Sequence, residues 1–279
     1  MNIGIVGLGL IGGSIGLKLQ SLNHTVYGVT NNNSNEIKAK ERKLANIISQ
    51  DYKILENCSI IILALPIKNL INPSKKLIKA IPTQAILTDV GSVKAPIIET
   101  WERIHNLFIG SHPMAGTEEK GVNAGNIELF ENTKWVITPT HQTDQNSLQI
   151  LSKLYKEMGC EIYLENPVIH DRAVANISHL PIYLASCLIE TAYCETNEDL
   201  LNLSGKLAAT GFSDTSRVGG GNPALGMDLA ENNTKNILNS LRIYKKNISE
   251  IEKIFEDRNW NLLEEKLKNT QEWRNHFCQ

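Results

Sequence analysis

The sequence predicts an α/β fold: a mostly parallel sheet with helices on both faces over residues 1–165, then an all-helical domain over residues 166–279. Three observations predict it. A chain of 279 residues holds about two domains at ~150 residues each. Its first half alternates short apolar runs with polar stretches long enough for helices. From about Pro167 the β-branched runs vanish and apolar residues recur every three or four positions, the helical period.

The apolar runs at 3–6, 25–29, 59–65, 85–89, 107–109 and 135–138 predict strands. They are unbroken rather than alternating, as expected of parallel strands covered on both faces. Helices are predicted between them at 11–22, 34–48, 74–80, 94–104 and 145–158. The Asn-rich stretch 31–35 reads as a loop. In the second half Val174, Ile177, Leu180, Leu184 and Leu188 form a helical stripe, and Pro181 inside it predicts a kink. Ile237, Leu241, Tyr244, Ile248, Ile251 and Phe255 form a coiled-coil-like seam on one long helix. The seam reads equally as core packing within one subunit or as a subunit interface.

Hydrophobic residues make up 42% of the chain, enough for a sizeable core. Lys+Arg total 28 against 30 Asp+Glu. Without a basic excess, nucleic acid is not the expected partner. Cys58, Cys160, Cys187, Cys194 and Cys278 are scattered, with no C-x-x-C pair. They predict reduced thiols rather than a disulfide frame or a zinc site. The longest apolar run, 60–66, is short of the roughly 18–20 residues of a membrane span. The chain enters a strand at Ile3 with no basic leader. A cytoplasmic protein, not a membrane one, is therefore expected.

Gly7, Gly9 and Gly12 spell G-x-G-x-x-G between an apolar strand and an apolar helix. In that context the spacing predicts a Rossmann-type dinucleotide site: Gly7 for the tight turn, Gly9 for close approach of a pyrophosphate, Gly12 for helix–strand packing. A glycine-rich turn without a ligand is the plain alternative. Leu8, Leu10 and Ile11 within the motif, and Leu65 and Pro66 after the third strand, are further candidate cofactor contacts. The second strand runs into Thr30, Asn31 and Asn32, with no acid before Glu36. A carboxylate there would bind a ribose 2′-OH and repel a 2′-phosphate, so NADP is expected over NAD. The arginine common in NADP sites is missing, unless Lys38 or Arg42 folds back.

Polar motifs follow two further strands: Asp89-Val90-Gly91-Ser92-Val93-Lys94 and Gly110-Ser111-His112-Pro113. Carboxyl ends of strands are where open α/β sheets bind ligands. His112 reads as a loop residue between glycine and proline. A loop histidine is commonly just a surface group, but beside a dinucleotide motif a neutral imidazole can accept the proton an alcohol loses as hydride leaves its carbon. On an ordinary histidine pKa near 6.5, activity would fall on acidification through that value. Ser92 reads as a hydrogen-bond partner of the same hydroxyl, or as the N-cap of the following helix. Arg217 is a candidate bidentate clamp for a substrate carboxylate; a surface ion pair is the simpler account. Asp214 reads as its partner or as a helix cap. His179 reads equally as a satisfied interior histidine or a substrate contact. His170 and Asp171 have no further ligand at metal-binding spacing, so no metal is expected.

Taken together, the motifs at 7–14, 89–94, 110–116, 170–181 and 211–217 resemble the prephenate/arogenate dehydrogenase family of tyrosine biosynthesis, over nearly the whole chain and in order. The resemblance implies a dinucleotide-binding domain, a helical domain that forms a homodimer, and oxidative decarboxylation of a cyclohexadienol, arogenate or prephenate. It implies that His112 takes the ring hydroxyl proton, that Ser92 assists, and that Arg217 binds the ring carboxylate. Many prephenate-specific relatives read S-H-L-P-H, whereas Ile182 stands at the last position here. With the G-G-G-N-P string at 219–223, the chain looks like the compact NADP-dependent arogenate dehydrogenases of cyanobacterial type. The length leaves no room for a fused chorismate mutase or regulatory ACT domain, so tyrosine feedback is expected to be weak or competitive. Two rivals are a β-hydroxyacid dehydrogenase with Lys206 as base and a non-catalytic NADP sensor.

Overall fold

A computed structural model of the chain describes residues 1–117 and 119–277; Cys278 lies outside the described residues. The first part runs β1 (Asn2–Val6), α1 (Leu10–Ser21), β2 (Thr25–Val29), α2 (Asn33–Glu41), β3 (Ile47–Ser49), β4 (Ile60–Leu63), α3 (Ile67–Ile71), α4 (Lys75–Ala80), β5 (Ile86–Asp89), α5 (Ala95–Trp101), β6 (Phe108–Pro113), β7 (Lys134–Thr138), α6 (Gln145–Glu157) and β8 (Glu161–Leu164). These strands form an eight-stranded sheet ordered β3-β2-β1-β4-β5-β6-β7-β8. Neighbours from β3 to β6 are parallel. β7 then runs antiparallel to β6, and β8 parallel to β7. The first six strands follow the doubly wound order, whose reversal between β1 and β4 opens a crevice at the carboxyl ends.

The strand sequences fit this place. Ile60 to Leu63 are all buried, because β4 lies between β1 and β5 with both faces covered. On α6, Leu148, Leu151, Leu154 and Tyr155 form the inward stripe. Tyr155 stacks on Trp135 with ring centroids 4.0 Å apart. Trp135 Nε1 donates to Ser111 Oγ at 3.0 Å, so the stack braces β6 next to His112.

Helices follow: α7 (Pro167–Val174), α8 (Leu180–Tyr193), α9 (Glu198–Leu207), α10 (Thr210–Ser216), α11 (Pro223–Asn232), α12 (Thr234–Glu256) and α13 (Trp260–Phe277). The chain divides into two compact units, Met1–Thr234 and the stretch from Lys235 onward. On α12, Ile237 of the expected seam is buried, while Tyr244, Ile248 and Phe255 are exposed.

The structure differs from the sequence expectations at several points. The helix expected at 34–48 stops at Glu41, where Lys43 turns left-handed (φ 52°), and Ile47–Ser49 joins the sheet as β3. β8 escaped the pattern because edge strands need no unbroken apolar run. The kink is not at Pro181 itself: Ala175–His179 forms a π-turn just before it. Pro181 has no N–H to return to the Ile177 carbonyl, so the preceding turn widens. The helix Pro167–Tyr193 is long and apolar enough to cross a membrane by length and composition; unbroken runs missed it because His170, Asp171 and His179 interrupt it.

Gly7 has φ +96°. A Cβ on Gly12 would sit 1.9 Å from the Gly7 carbonyl oxygen and 2.9 Å from Ala64 Cβ, so α1 packs against the β1 turn only because Gly12 has no side chain. Gly12→Ala is expected to destabilise the fold by about 1–3 kcal/mol and to weaken cofactor binding by more than about tenfold. Thermal unfolding and cofactor titration check this. Unchanged affinity would contradict the packing role.

Candidate active site

The crevice begins at the α1 N-terminus. Gly9 is its N-cap and offers no side-chain oxygen, leaving first-turn N–H groups for an anion. A Cβ at Gly9 would meet nothing within 4 Å, so the space beside it is open. At the end of β2, Thr30 is buried and its Oγ1 has no hydrogen-bond partner. An open cradle at a helix N-terminus and an orphaned hydroxyl at the ribose position both fit a dinucleotide.

The other expected cofactor residues fall as follows. Leu8 is buried and packs over Gly28, so its side chain serves the core and only its backbone faces the turn. Leu10 and Ile11 are half-buried in the first turn of α1. Leu65 is half-buried and Pro66 exposed at the β4 end. Asn32 caps α2, its Oδ1 accepting from the Asn35 N–H at 2.8 Å. Asn31 Oδ1 accepts from Asn32 and Asn35 side chains. Glu36 is occupied by Lys40 at 2.6 Å and Gln50 at 2.7 Å. Arg42 does not fold back: it donates to the Val122 and Gly125 carbonyls at 3.3 and 2.7 Å.

His112 is not in a loop. It lies in β6, paired with Val136 of β7, because the strand continues through Pro113 once β7 covers it. Its Nδ1 lies 2.9 Å from His170 Nε2. His170 Nδ1 in turn lies 2.8 Å from Asp171 Oδ1. The carboxylate accepts, so His170 carries its proton on Nδ1 and accepts at Nε2. His112 therefore donates from Nδ1 and keeps the Nε2 lone pair free. Among the described residues, the hydrogen bond made by the His112 ring is the one at Nδ1. The sequence named His112 but saw His170 and Asp171 only as unlikely metal ligands; nothing in their spacing revealed a chain of bonds to a residue 58 positions away.

Asp171 also replaces the expected Ser92 cap. Its two oxygens accept the Lys94 and Ala95 N–H groups at 2.7 and 2.9 Å, closing the start of α5. Ser92 is half-buried in the turn before it, not spent on capping. Lys94, which the sequence did not single out, is fully buried. Its Nζ pairs with Asp89 and donates to the Ser111 carbonyl at 2.7 Å. Burial pushes the Lys94 ammonium down and the Asp89 carboxyl up, each opposed by the other's charge.

His179 is fully buried on the π-turn. Its Nδ1 lies 3.2 Å from Asn233 Nδ2, and its Nε2 has no partner at full hydrogen-bond geometry. Arg217 and Asp214 are exposed, on the Arg217–Gly220 turn and on α10. Lys206 is exposed on α9, not placed as a buried base.

His112 and His179 are held neutral. Burial, then the neighbouring His170, Lys94 and His179, hold His112 well below 6.5. Burial lowers His179 to about 4, against the pull of Asp171. The acid limb of kcat/KM is therefore expected below pH 6.5 rather than at it, with a flat profile from 6.5 to 8. The stability sign agrees. A histidine depressed in the fold is protonated first in the unfolded chain, so stability is present above 6.5 and is lost as pH falls toward the folded value. The His179 shift alone is worth about 3 kcal/mol when complete. A rate profile and thermal unfolding from pH 4 to 8 check both; an acid limb at or above 6.5 would contradict the burial of His112.

Comparisons with known proteins bear on the whole chain. Residues 15–164 match the nucleotide-binding domain of prephenate dehydrogenase. Residues 166–269 match the prephenate dehydrogenase dimerization domain. The structure resembles that of Synechocystis arogenate dehydrogenase, 39% identical over all of both chains, with a TM-score of 0.84. It also resembles prephenate dehydrogenase from Aquifex aeolicus in complex with hydroxyphenyl propionate and NAD+, 26% identical over 99% of this chain and 98% of that one, TM-score 0.91. A Bacillus subtilis prephenate dehydrogenase is 29% identical over 90% of this chain and 68% of its own. The glycine turn, the imidazole at a strand end and the two matched domains converge: the chain belongs to the prephenate dehydrogenase family of oxidoreductases.

Proposed function

We propose that this protein is an NADP-dependent arogenate dehydrogenase, converting L-arogenate to L-tyrosine with loss of CO2. The observation that carries the chemistry is the Asp171–His170–His112 chain, which leaves His112 Nε2 as a free, unprotonated base. His112 accepts the proton of the ring 4-hydroxyl, and Ser92 hydrogen-bonds the same oxygen. NADP, when bound, supplies the hydride acceptor for the ring carbinol carbon. The resulting carbonyl lies across the ring from the carboxylate, and CO2 leaves as the ring becomes aromatic. Arg217 holds the ring carboxylate until then, with Asp214 one turn earlier on the same segment, and His179 lines the buried wall. Gly7, Leu8, Gly9, Leu10, Ile11 and Gly12 would hold the cofactor, with Leu65 and Pro66 as further contacts.

Three observations support the finer reading. The identity of 39% to Synechocystis arogenate dehydrogenase favours arogenate. The β2 end carries Thr30, Asn31 and Asn32 and no carboxylate, with the Thr30 hydroxyl unpartnered, which favours a 2′-phosphate over a bare ribose. Exposed Tyr193, Leu203 and Leu207 lie in the segment matched by the dimerization domain, which favours a homodimer through the C-terminal helices. The division at 165/166 fits the end of β8 at Leu164 and the helix start at Pro167. A cytoplasmic location fits buried, unpaired Cys58 and Cys160.

A second reading, prephenate dehydrogenase giving 4-hydroxyphenylpyruvate with NAD or NADP, is favoured by the Bacillus subtilis and Lactococcus lactis relatives of that name. Measuring kcat/KM for arogenate and prephenate, each with NADP and NAD, separates the two. The arogenate–NADP pair is expected to lead. A lead for either prephenate pair overturns the substrate assignment.

A further inference from the structure

In the proposed reaction His112 and Ser92 face the substrate hydroxyl directly, and a third group reaches both histidine arms. Asn233 closes α11 and is buried. Its Nδ2 lies 2.8 Å from the Asp171 carbonyl oxygen and 3.2 Å from His179 Nδ1. A side-chain amide nitrogen has two hydrogens. One goes to the carbonyl, which can only accept. The other meets His179 Nδ1, which must then be the lone pair. His179 is thereby fixed with its proton on Nε2, which finds no partner at full hydrogen-bond geometry but is drawn on by the Ser92 backbone.

The π-turn makes this convergence possible. His170 and His179 are nine positions apart. In an unbroken α-helix nine residues turn about 900°, placing them on opposite faces. The wider turn over Ala175–His179 rotates less per residue, which swings His179 toward the side of His170 and Asp171. One amide then spans both, from a helix more than 50 residues along the chain.

We propose that Asn233 is a positioning residue of this active site. It sets the His179 tautomer, so that Nε2–H is presented as a buried donor beside the Ser92 turn, and it steadies the Asp171 backbone behind the His112 relay. The inference rests on the dehydrogenase reading. The groups facing His179 are Asp171 and His170 on α7, Ser92 through its backbone, His112 on β6, and Asn233 itself. Asp171 is the anion among them, and its carboxylate is already engaged by His170 and two N–H groups. The neutral amide of Asn233 therefore fixes Nδ1 as the acceptor, and the Ser92 backbone favours the proton on Nε2.

The test uses Asn233→Asp and Asn233→Ala in the full chain, with 15N-histidine NMR and kinetics on the same samples. His179→Asn assigns the resonance. In the native protein His179 is expected as the Nε2–H form, not titrating above pH 5. In Asn233→Asp, a carboxylate opposite Nδ1 draws a proton there, and His179 becomes protonated on Nδ1 and titrates at higher pH. In Asn233→Ala the two tautomers mix. Both variants are expected to lose about 10–100-fold in kcat/KM with unchanged cofactor affinity. If Asn233→Asp does not fold, Asn233→Ala decides alone. An unchanged His179 tautomer, or a changed tautomer with unchanged kcat/KM, overturns the proposal. An inactive native protein that shows the native tautomer would instead indict the dehydrogenase reading.

Discussion

Replacing His112 by asparagine is expected to lower kcat by about 10²–10⁴-fold, the range for removing a general base. The substitution is informative because it spares what surrounds the base. An asparagine amide can still donate toward His170 Nε2, where Nδ1 now sits at 2.9 Å. Strand pairing with Val136 is a backbone matter and is kept. What disappears is the Nε2 lone pair. Cofactor affinity should stay within about threefold of the native value, because binding energy at the glycine turn and α1 does not pass through His112. A variant that keeps more than about a tenth of the native kcat would remove His112 from the proton-transfer step.

The second large effect is on stability. Lys94 and Asp89 are an ion pair with both side chains fully buried. Breaking such a pair from one side leaves an uncompensated charge and typically costs about 3–5 kcal/mol. Lys94→Met is therefore expected to lower Tm by about 6–20 °C for a chain of this size. The loss is partly relieved at low pH, because burial already pushes the Asp89 carboxyl up toward its neutral form, and without Lys94 it rises further. The double variant Lys94→Met with Asp89→Asn removes both charges and should recover most of the loss. The Asp89 side chain also accepts from the Gly91 and Ser111 N–H groups at 2.8 and 3.2 Å, and an asparagine oxygen can keep one of these. A double variant no more stable than the single one would show that packing of the lysine stem, not charge, carries the effect.

These two predictions differ in how far the sequence alone leads to them. His112 is visible as a histidine after an apolar run, near a glycine motif. Its readiness as a base is not, because that depends on His170 and Asp171, and on burial that no local pattern records. Lys94 looks like an ordinary charge at the start of a helix. Only the folded chain buries it and turns its ammonium onto the Asp89 carboxylate and the Ser111 carbonyl. Ser92 stands where a helix cap is expected, but that capping role passes to Asp171, 77 positions from the Lys94 N–H it holds.

What the sequence determined by itself was the doubly wound half, the glycine turn, the helical second half and the family. These rest on local periodicity and short motifs, which act between residues close in the chain. The tertiary structure alone decided the reach of β6 through His112, the His112–His170–Asp171 order, the bridging place of Asn233, and the engagement of Arg42 with Val122 and Gly125. Each depends on groups far apart in the chain meeting in a buried place, where a donor must find an acceptor and the geometry leaves few choices.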